Sequence, residues 1–290
     1  RLLADRAFEC GRAFETDILA DELGLATDIA RDFWRVHVTP RQLTASILLG
    51  QDLSLWRKGP GRRRVGPEAL ATLTGPLLNH PHLEILGPTT DQSFDSLEAN
   101  LMDAIKALEE MESERVDAEL FLKEAGKLKR GDYKAELVDG YLQGLEAIQR
   151  LEFTPGQWND LKWFLPGTVL DERNHKNNFE PPNALAMAFL DACEAIHQAG
   201  EALANGCRTV FLEFAQTELP RRKQEAGLLG YGDMLTALDE ALTNNPEGDL
   251  ARAVRGQFQA AMIDEFQDTD PVQLNIFKTL FHHDDTTLFL

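Results

Sequence analysis

The sequence predicts a mainly α chain: a large helical domain over residues 1–255, attached to a partial α/β segment over 256–290. Three observations carry this reading. Apolar residues recur at three- to four-residue spacing through most of the first 255 positions. Near residue 256 that period gives way to the short, mostly apolar run Gln257-Phe258-Gln259-Ala260-Ala261-Met262-Ile263, which stops abruptly at Asp264-Glu265. A helical stripe and a second apolar run follow, so the last segment has the strand, helix, strand order of a βαβ unit.

Taken in order, shorter helices are expected near 27–38, 40–49, 67–79, 134–150 and 155–164. Phe94, Leu97, Leu101, Ile105, Leu108, Met111, Val116, Leu120 and Phe121 follow one another without an internal Gly or Pro until Gly126, which predicts a single long amphipathic helix over 93–128. Between Asp91 and Glu152 sixteen acidic residues stand against eight basic ones, a pattern that fits a solvated helix face. A second long helix is expected over 183–218, with Leu185, Phe189, Cys193, Ile196, Leu203, Val210, Phe211 and Phe214 on its apolar side and Pro220 as its end or a kink. Gly, Asn and three prolines mark 166–182 as loop, and helices flank the last segment near 232–255.

The run 257–263 fits a buried parallel strand whose carboxyl end presents acids. In the helix after it, Asp270 is a good N-cap, Pro271 takes the first helical position and Gln273 the third, with Leu274, Phe277, Leu280 and Phe281 as the stripe. A final strand begins over 286–290. The chain starts without Met inside an amphipathic pattern and stops inside an apolar run, so both ends are expected to be cut rather than natural.

Composition excludes several function classes. With 43% hydrophobic residues over 290 positions, disorder throughout is ruled out. The formal net charge of −19 excludes a bulk-electrostatic nucleic-acid binder and confines any such contact to a local patch. One patch stands out: Arg57, Lys58, Arg62, Arg63 and Arg64 surround a Gly59-Pro60-Gly61 turn beside Trp56 and could grip duplex phosphates, although a solvated loop explains them equally well. Arg221-Arg222-Lys223 is a weaker second candidate. The cysteines Cys10, Cys193 and Cys207 are scattered, without zinc spacing, and are expected to be reduced thiols of a cytoplasmic protein. His80, His82, His282 and His283 lack acid or Cys partners at ligand spacing, and no segment reads as a membrane span or signal peptide.

An apolar strand ending in two adjacent acids is a Walker B arrangement. The first carboxylate suits Mg²⁺, usually through water, and the second suits the water that attacks a γ-phosphate. Alternation at a strand end is expected to send the two carboxylates to opposite sides. The pair alone is a weak signal. The longer string Asp264-Glu265-Phe266-Gln267-Asp268-Thr269-Asp270-Pro271-Val272-Gln273 is far more specific, and it resembles motif II of superfamily 1 helicases of the UvrD and RecB type. Leu229-Gly230-Tyr231-Gly232-Asp233-Met234-Leu235 is similar to the aromatic-x-Asp-Met/Leu-Leu element that precedes that motif. The Phe and the Asp-Pro after the Thr are closest to the RecB branch, as are Ala7-Phe8-Glu9-Cys10-Gly11 and Asp32-Phe33-Trp34-Arg35.

The resemblance implies a RecA-like, P-loop NTPase-type motor segment at 256–290 carrying a large helical insertion of the 1B kind. It implies that Asp264 holds Mg²⁺, that Glu265 is the catalytic base for ATP hydrolysis, and that Gln267 and Asp268 link the nucleotide site to the DNA side. It further implies an ATP-dependent helicase and exonuclease subunit acting on double- and single-stranded DNA at breaks, with RecC- and RecD-like partners. Plainer readings stand beside these: Gln273 as part of a capping box, Asp233 as N-cap of a helix over 234–243. No Gly-x-x-x-x-Gly-Lys-Ser/Thr occurs, since Gly126-Lys127 has Phe121 and Leu128 where the motif needs Gly and a hydroxyl, so the chain by itself is expected to be inactive. Gly131-Asp132-Tyr133-Lys134 looks like a nuclease tripeptide but lies in a charged turn without further acids on neighbouring strands. A silent helical DNA-binding or docking module, and a UvrD- or AddA-type helicase, are the alternatives.

Overall fold

The computed structural model describes residues 17–18, 22–50, 66–79, 84–85, 93–124, 127–129, 132–177, 179–282 and 287–289. The described helices are α1 (Glu22–Phe33), α2 (Gln42–Gly50), α3 (Pro67–Ala71), α4 (Gly75–Asn79), α5 (Phe94–Glu109), α6 (Glu112–Lys123), α7 (Ala135–Gln149), α8 (Pro155–Asp160), α9 (Pro166–Val169), α10 (Ala184–Glu225), α11 (Tyr231–Asn244), α12 (Asp249–Gln257) and α13 (Pro271–Phe281). A π-helical turn, Trp34–Val38, extends α1. Four short strands complete the set: β1 (Asp17–Ile18), β2 (Leu228–Leu229), β3 (Ala260–Met262) and β4 (Thr287–Phe289). The chain is mainly α, as its periodicity predicts, and divides into two compact units.

One unit comprises the described residues of 30–73 and 85–214; its described elements are helices, with one antiparallel bridge between Leu128 and His175. Its core is built on fully buried Phe33, Phe164, Phe189 and Phe211 with Leu101, Ile105 and Leu122. Phe33 meets Phe211 edge-on at 5.3 Å between ring centres, an arrangement aromatic pairs favour. Small residues on α10 admit large partners. Gly200 lies against the buried Trp158 of α8, and Gly206 against Leu97 of α5.

The helix expected over 93–128 is two helices, broken at Glu110–Met111 without Gly or Pro. The acidic run favours a new start there: Glu112 and Glu114 occupy the first turn of α6, where the positive end of the helix dipole attracts carboxylates. Val116 and Leu120, counted into the apolar stripe, are 56% and 66% exposed, while Ala118, Phe121 and Leu122 face the core. The helix expected over 183–218 runs on to Glu225 with Pro220 inside it, so the proline is not its end. Proline removes one backbone donor, and the last turns are reinforced by Arg221 to Glu218 at 2.6 Å, Arg221 to Glu225 at 2.6 Å and Arg222 to Glu218 at 3.0 Å. The presumed loop 166–182 contains α9 and a 3₁₀ turn, Glu172–Asn174.

The other unit comprises the described residues of 1–29, 74–84 and 215–290. It holds two parallel two-stranded ladders, β1 with β2 and β3 with β4, the latter in the register Ala260–Thr287, Ala261–Leu288 and Met262–Phe289. Its core joins α11, α12 and α13 through Leu242, Leu250, Ala251, Val254, Ile276, Leu280 and Phe281. Arg255 of α12 ties the end of α13 down, donating to the carbonyls of Thr279 at 2.7 Å and Leu280 at 3.2 Å. The expectation of a buried strand over 257–263 is corrected on two counts. Gln257 ends α12, and β3 is only half covered, with Met262 78% exposed. Ala261 faces the core of α11, α12 and α13, while Ala260 and Met262 point to the other face and are exposed.

Candidate functional site

The chain leaves β3 at Ile263, whose N–H donates to the Phe289 carbonyl at 2.9 Å as the last rung beside β4. Asp264 and Glu265 follow at once. Their separation does not come from strand alternation as expected, because Glu265 adopts the left-handed conformation, φ 53° and ψ 49°. Only two non-glycine residues among those described have positive φ, and such backbone in a residue with a Cβ marks a turn under constraint. A 3₁₀ turn, Phe266–Asp268, completes the bend, with the Asp268 N–H on the Glu265 carbonyl at 2.8 Å and the Thr269 N–H on the Phe266 carbonyl at 3.0 Å.

Both carboxylates are exposed. One Asp264 oxygen accepts from the Glu265 N–H at 3.0 Å, which leaves the other free, and the Glu265 carboxylate accepts from the Gln267 side-chain amide. These are hard oxygen donors of the kind Mg²⁺ takes, so the residues present fit the ion the motif implies. Asp270 then caps α13 through the Gln273 N–H at 2.9 Å, as its sequence position predicts. Gln273 enters that cap through its backbone. The turn is thus held between β3, paired to β4, and α13, packed on α11 and α12.

Asp233 is not the N-cap it was expected to be. Gly230 is the cap residue, and Asp233, in the first turn of α11, reaches back to accept from the Gly230 N–H at 2.8 Å and from Lys223 Nζ at 2.7 Å. Lys223 is 4% exposed, with Glu22 3.7 Å away as its second acid. A Cβ at Gly230 would fall 1.9 Å from Glu22 Oε1, so a side chain there would displace the Glu22 carboxylate from the cluster. Sequence reasoning missed this buried ion cluster because Glu22, Lys223 and Asp233 are far apart in the chain. It also consumes the second basic candidate, since Arg221 and Arg222 pair with Glu218 and Lys223 is buried.

The cluster Arg57, Lys58, Arg62, Arg63 and Arg64 lies outside the described residues, as do Cys10, His80, His82 and His283. Cys193 and Cys207 are buried free thiols on α10; burial raises both, Cys207 to about 12. Tyr133 is buried with its hydroxyl donating to the Trp163 carbonyl at 3.1 Å, which gives the tyrosine of the Asp-Tyr-Lys tripeptide a packing role. Among the described residues no group of three or more His, Cys, Asp or Glu could hold a metal, and no helix is long and apolar enough to cross a membrane.

The described site is thus an acid pair in a tight turn between a parallel strand and a capped helix. The chain belongs to the UvrD/REP helicase family, whose N-terminal domain model matches residues 93–290. Within that class it is similar to RecB, a subunit of the RecBCD enzyme. It is 27% identical to the Escherichia coli K12 subunit over 299 residues, covering all of this chain and 23% of that protein. The Mycolicibacterium smegmatis subunit is 41% identical over 85 residues, 28% of this chain and 8% of that protein. The Haemophilus influenzae subunit is 22% identical over 304 residues, covering 97% of this chain and 24% of that protein. The chain therefore spans at most about a quarter of the length of these relatives.

Proposed function

We propose that this chain is part of an ATP-dependent DNA helicase subunit of the RecB kind, which unwinds double-stranded DNA at breaks for recombination and repair, with an associated exonuclease, in the cytoplasm alongside RecC- and RecD-like partners. The observation that carries this reading is the turn 264–268, where two exposed acids follow a parallel strand and the full motif II string surrounds them. In it Asp264 holds Mg²⁺, Glu265 takes the proton of the attacking water, and Gln267 and Asp268 relay the state of the nucleotide site toward DNA. Bound Mg²⁺ supplies charge neutralisation on the phosphates. Residues 1–255 contribute the helical insertion with its flanking motor helices, and Arg57, Lys58, Arg62, Arg63 and Arg64 contact duplex phosphates.

The test is phosphate release by a full-length protein carrying this sequence. Glu265→Gln removes the base while keeping the side chain's size, and DNA-stimulated turnover falls by about 10²- to 10⁴-fold. Turnover at the unaltered rate would refute the assignment. The chain by itself, without a phosphate-cradling Gly-Lys-Ser/Thr motif, hydrolyses nothing above background. Reversing Arg62, Arg63 and Arg64 weakens duplex binding by the full-length protein and flattens its dependence on salt. Unchanged affinity at low salt removes that contact.

A further inference from the structure

Residues two apart rarely cooperate through their side chains. On a helix they point away from each other, and along a strand they stand about 6–7 Å apart. At the end of β3 the chain does neither. Glu265 is left-handed at φ 53°, the 3₁₀ turn Phe266–Asp268 follows, and the Asp268 N–H closes that turn on the Glu265 carbonyl at 2.8 Å. The result folds the side chain of residue 267 back over that of residue 265, and the Gln267 amide donates to Glu265 Oε2. Among the described residues this is the one hydrogen bond to the Glu265 carboxylate. The neighbouring acid takes a different donor, Asp264 accepting from the Glu265 N–H at 3.0 Å.

An exposed glutamate with three side-chain torsions has many orientations, of which few aim a lone pair at one water. A single donor on Oε2 removes most of that freedom and leaves Oε1 open. We propose that Gln267 is a positioning residue for Glu265: its amide holds the carboxylate in the orientation from which Oε1 receives a proton, and the left-handed backbone at Glu265 exists to bring the two side chains together. This rests on the reading of Glu265 as the base, and it gives Gln267 a role on the acid itself, distinct from contact with nucleotide.

The experiment uses a full-length protein carrying this sequence. Gln267→Met removes the donor at nearly constant volume, and Gln267→Asn keeps an amide on a stem one methylene too short. Both are expected to lower kcat for DNA-stimulated ATP hydrolysis by about 10- to 100-fold, the usual loss when a supporting hydrogen bond to a reactive group is removed. KM for ATP, affinity for a fluorescent ADP analogue and melting temperature stay at their unaltered values. A Gln267→Met variant with kcat within about twofold of the unaltered protein overturns the proposal. So does a parallel loss of ADP affinity, which makes Gln267 a nucleotide contact. Glu265→Gln is measured alongside. If it is inactive while Gln267→Met is not, the positioning role alone fails; if it is active, the reading beneath it fails too.

Discussion

Gly200→Ala tests the helical packing most sharply, because two well-measured effects oppose each other there. Gly200 lies inside α10, and in an open helix interior alanine is favoured over glycine by about 1 kcal/mol. A Cβ at this position, however, would sit 2.2 Å from Cζ2 and 2.5 Å from Cη2 of Trp158. The obstacle is the body of a rigid indole, 2% exposed and backed by Phe153 at 5.5 Å between ring centres, so it cannot swing aside. Forcing a methyl into such a contact costs about 1–3 kcal/mol, and a clash this deep belongs at the upper end. The net expectation is destabilisation by about 1–2 kcal/mol, read as a melting temperature lower by about 2–8 °C for a unit of this size. Gly140→Ala is the matched control: nothing lies within 4 Å of its Cβ position in α7, so it should stabilise by about 1 kcal/mol. Gly200→Ala melting at or above the unaltered chain would refute the close approach of α8 to α10.

Arg255→Ala should destabilise the other unit by about 2–3 kcal/mol in urea melts, since it removes charge-assisted donors from the Thr279 and Leu280 carbonyls that end α13. Arg255→Lys should recover little, because one ammonium cannot also span Pro246 and Glu247. Arg221 and Arg222 hold the Glu218 carboxyl down at about 2 against an ordinary 4.5. A depressed acid contributes stability that is full above its unfolded value and lost as pH falls toward the folded one, so the contribution fades between about pH 4.5 and 2. Acid titrations of stability should be flatter in Glu218→Gln over that window. Cys193 and Cys207, buried with raised thiols, should react with a disulfide reagent only as fast as the chain opens. Labelling at the rate of a free thiol in native buffer would contradict their burial.

Much of this was legible because local physics decided it. The positions of α2, α7, α8 and α13 follow from apolar spacing and caps, and the Asp270–Pro271–Gln273 start of α13 is realised as read. The acid pair was legible as a string, yet its geometry was not. Alternation along an extended strand cannot foresee a left-handed Glu265, which depends on what the turn must connect. The break between α5 and α6 was missed because hydrophobic period ignores helix dipoles, and Val116 and Leu120 extended a stripe that the core does not use. Proline, a local signal, left α10 open between an end and a kink; the helix continues past Pro220, where the pairs around Glu218 act across turns. The Lys223–Asp233–Glu22 cluster is wholly tertiary: each residue alone looks like ordinary surface charge, and only the fold brings them together out of water.

The left-handed backbone at Glu265 sets stability against the proposed chemistry at a single position. A residue with a Cβ gives up roughly 1 kcal/mol or more to sit there, and glycine gives up almost none. Glu265→Gly should therefore relieve that strain while deleting the carboxylate, the gain being reduced by the greater freedom glycine gives the unfolded chain. A screen that rewards only heat resistance would favour glycine at this turn and discard the acid, so stabilised forms of the chain need the residue held fixed during selection.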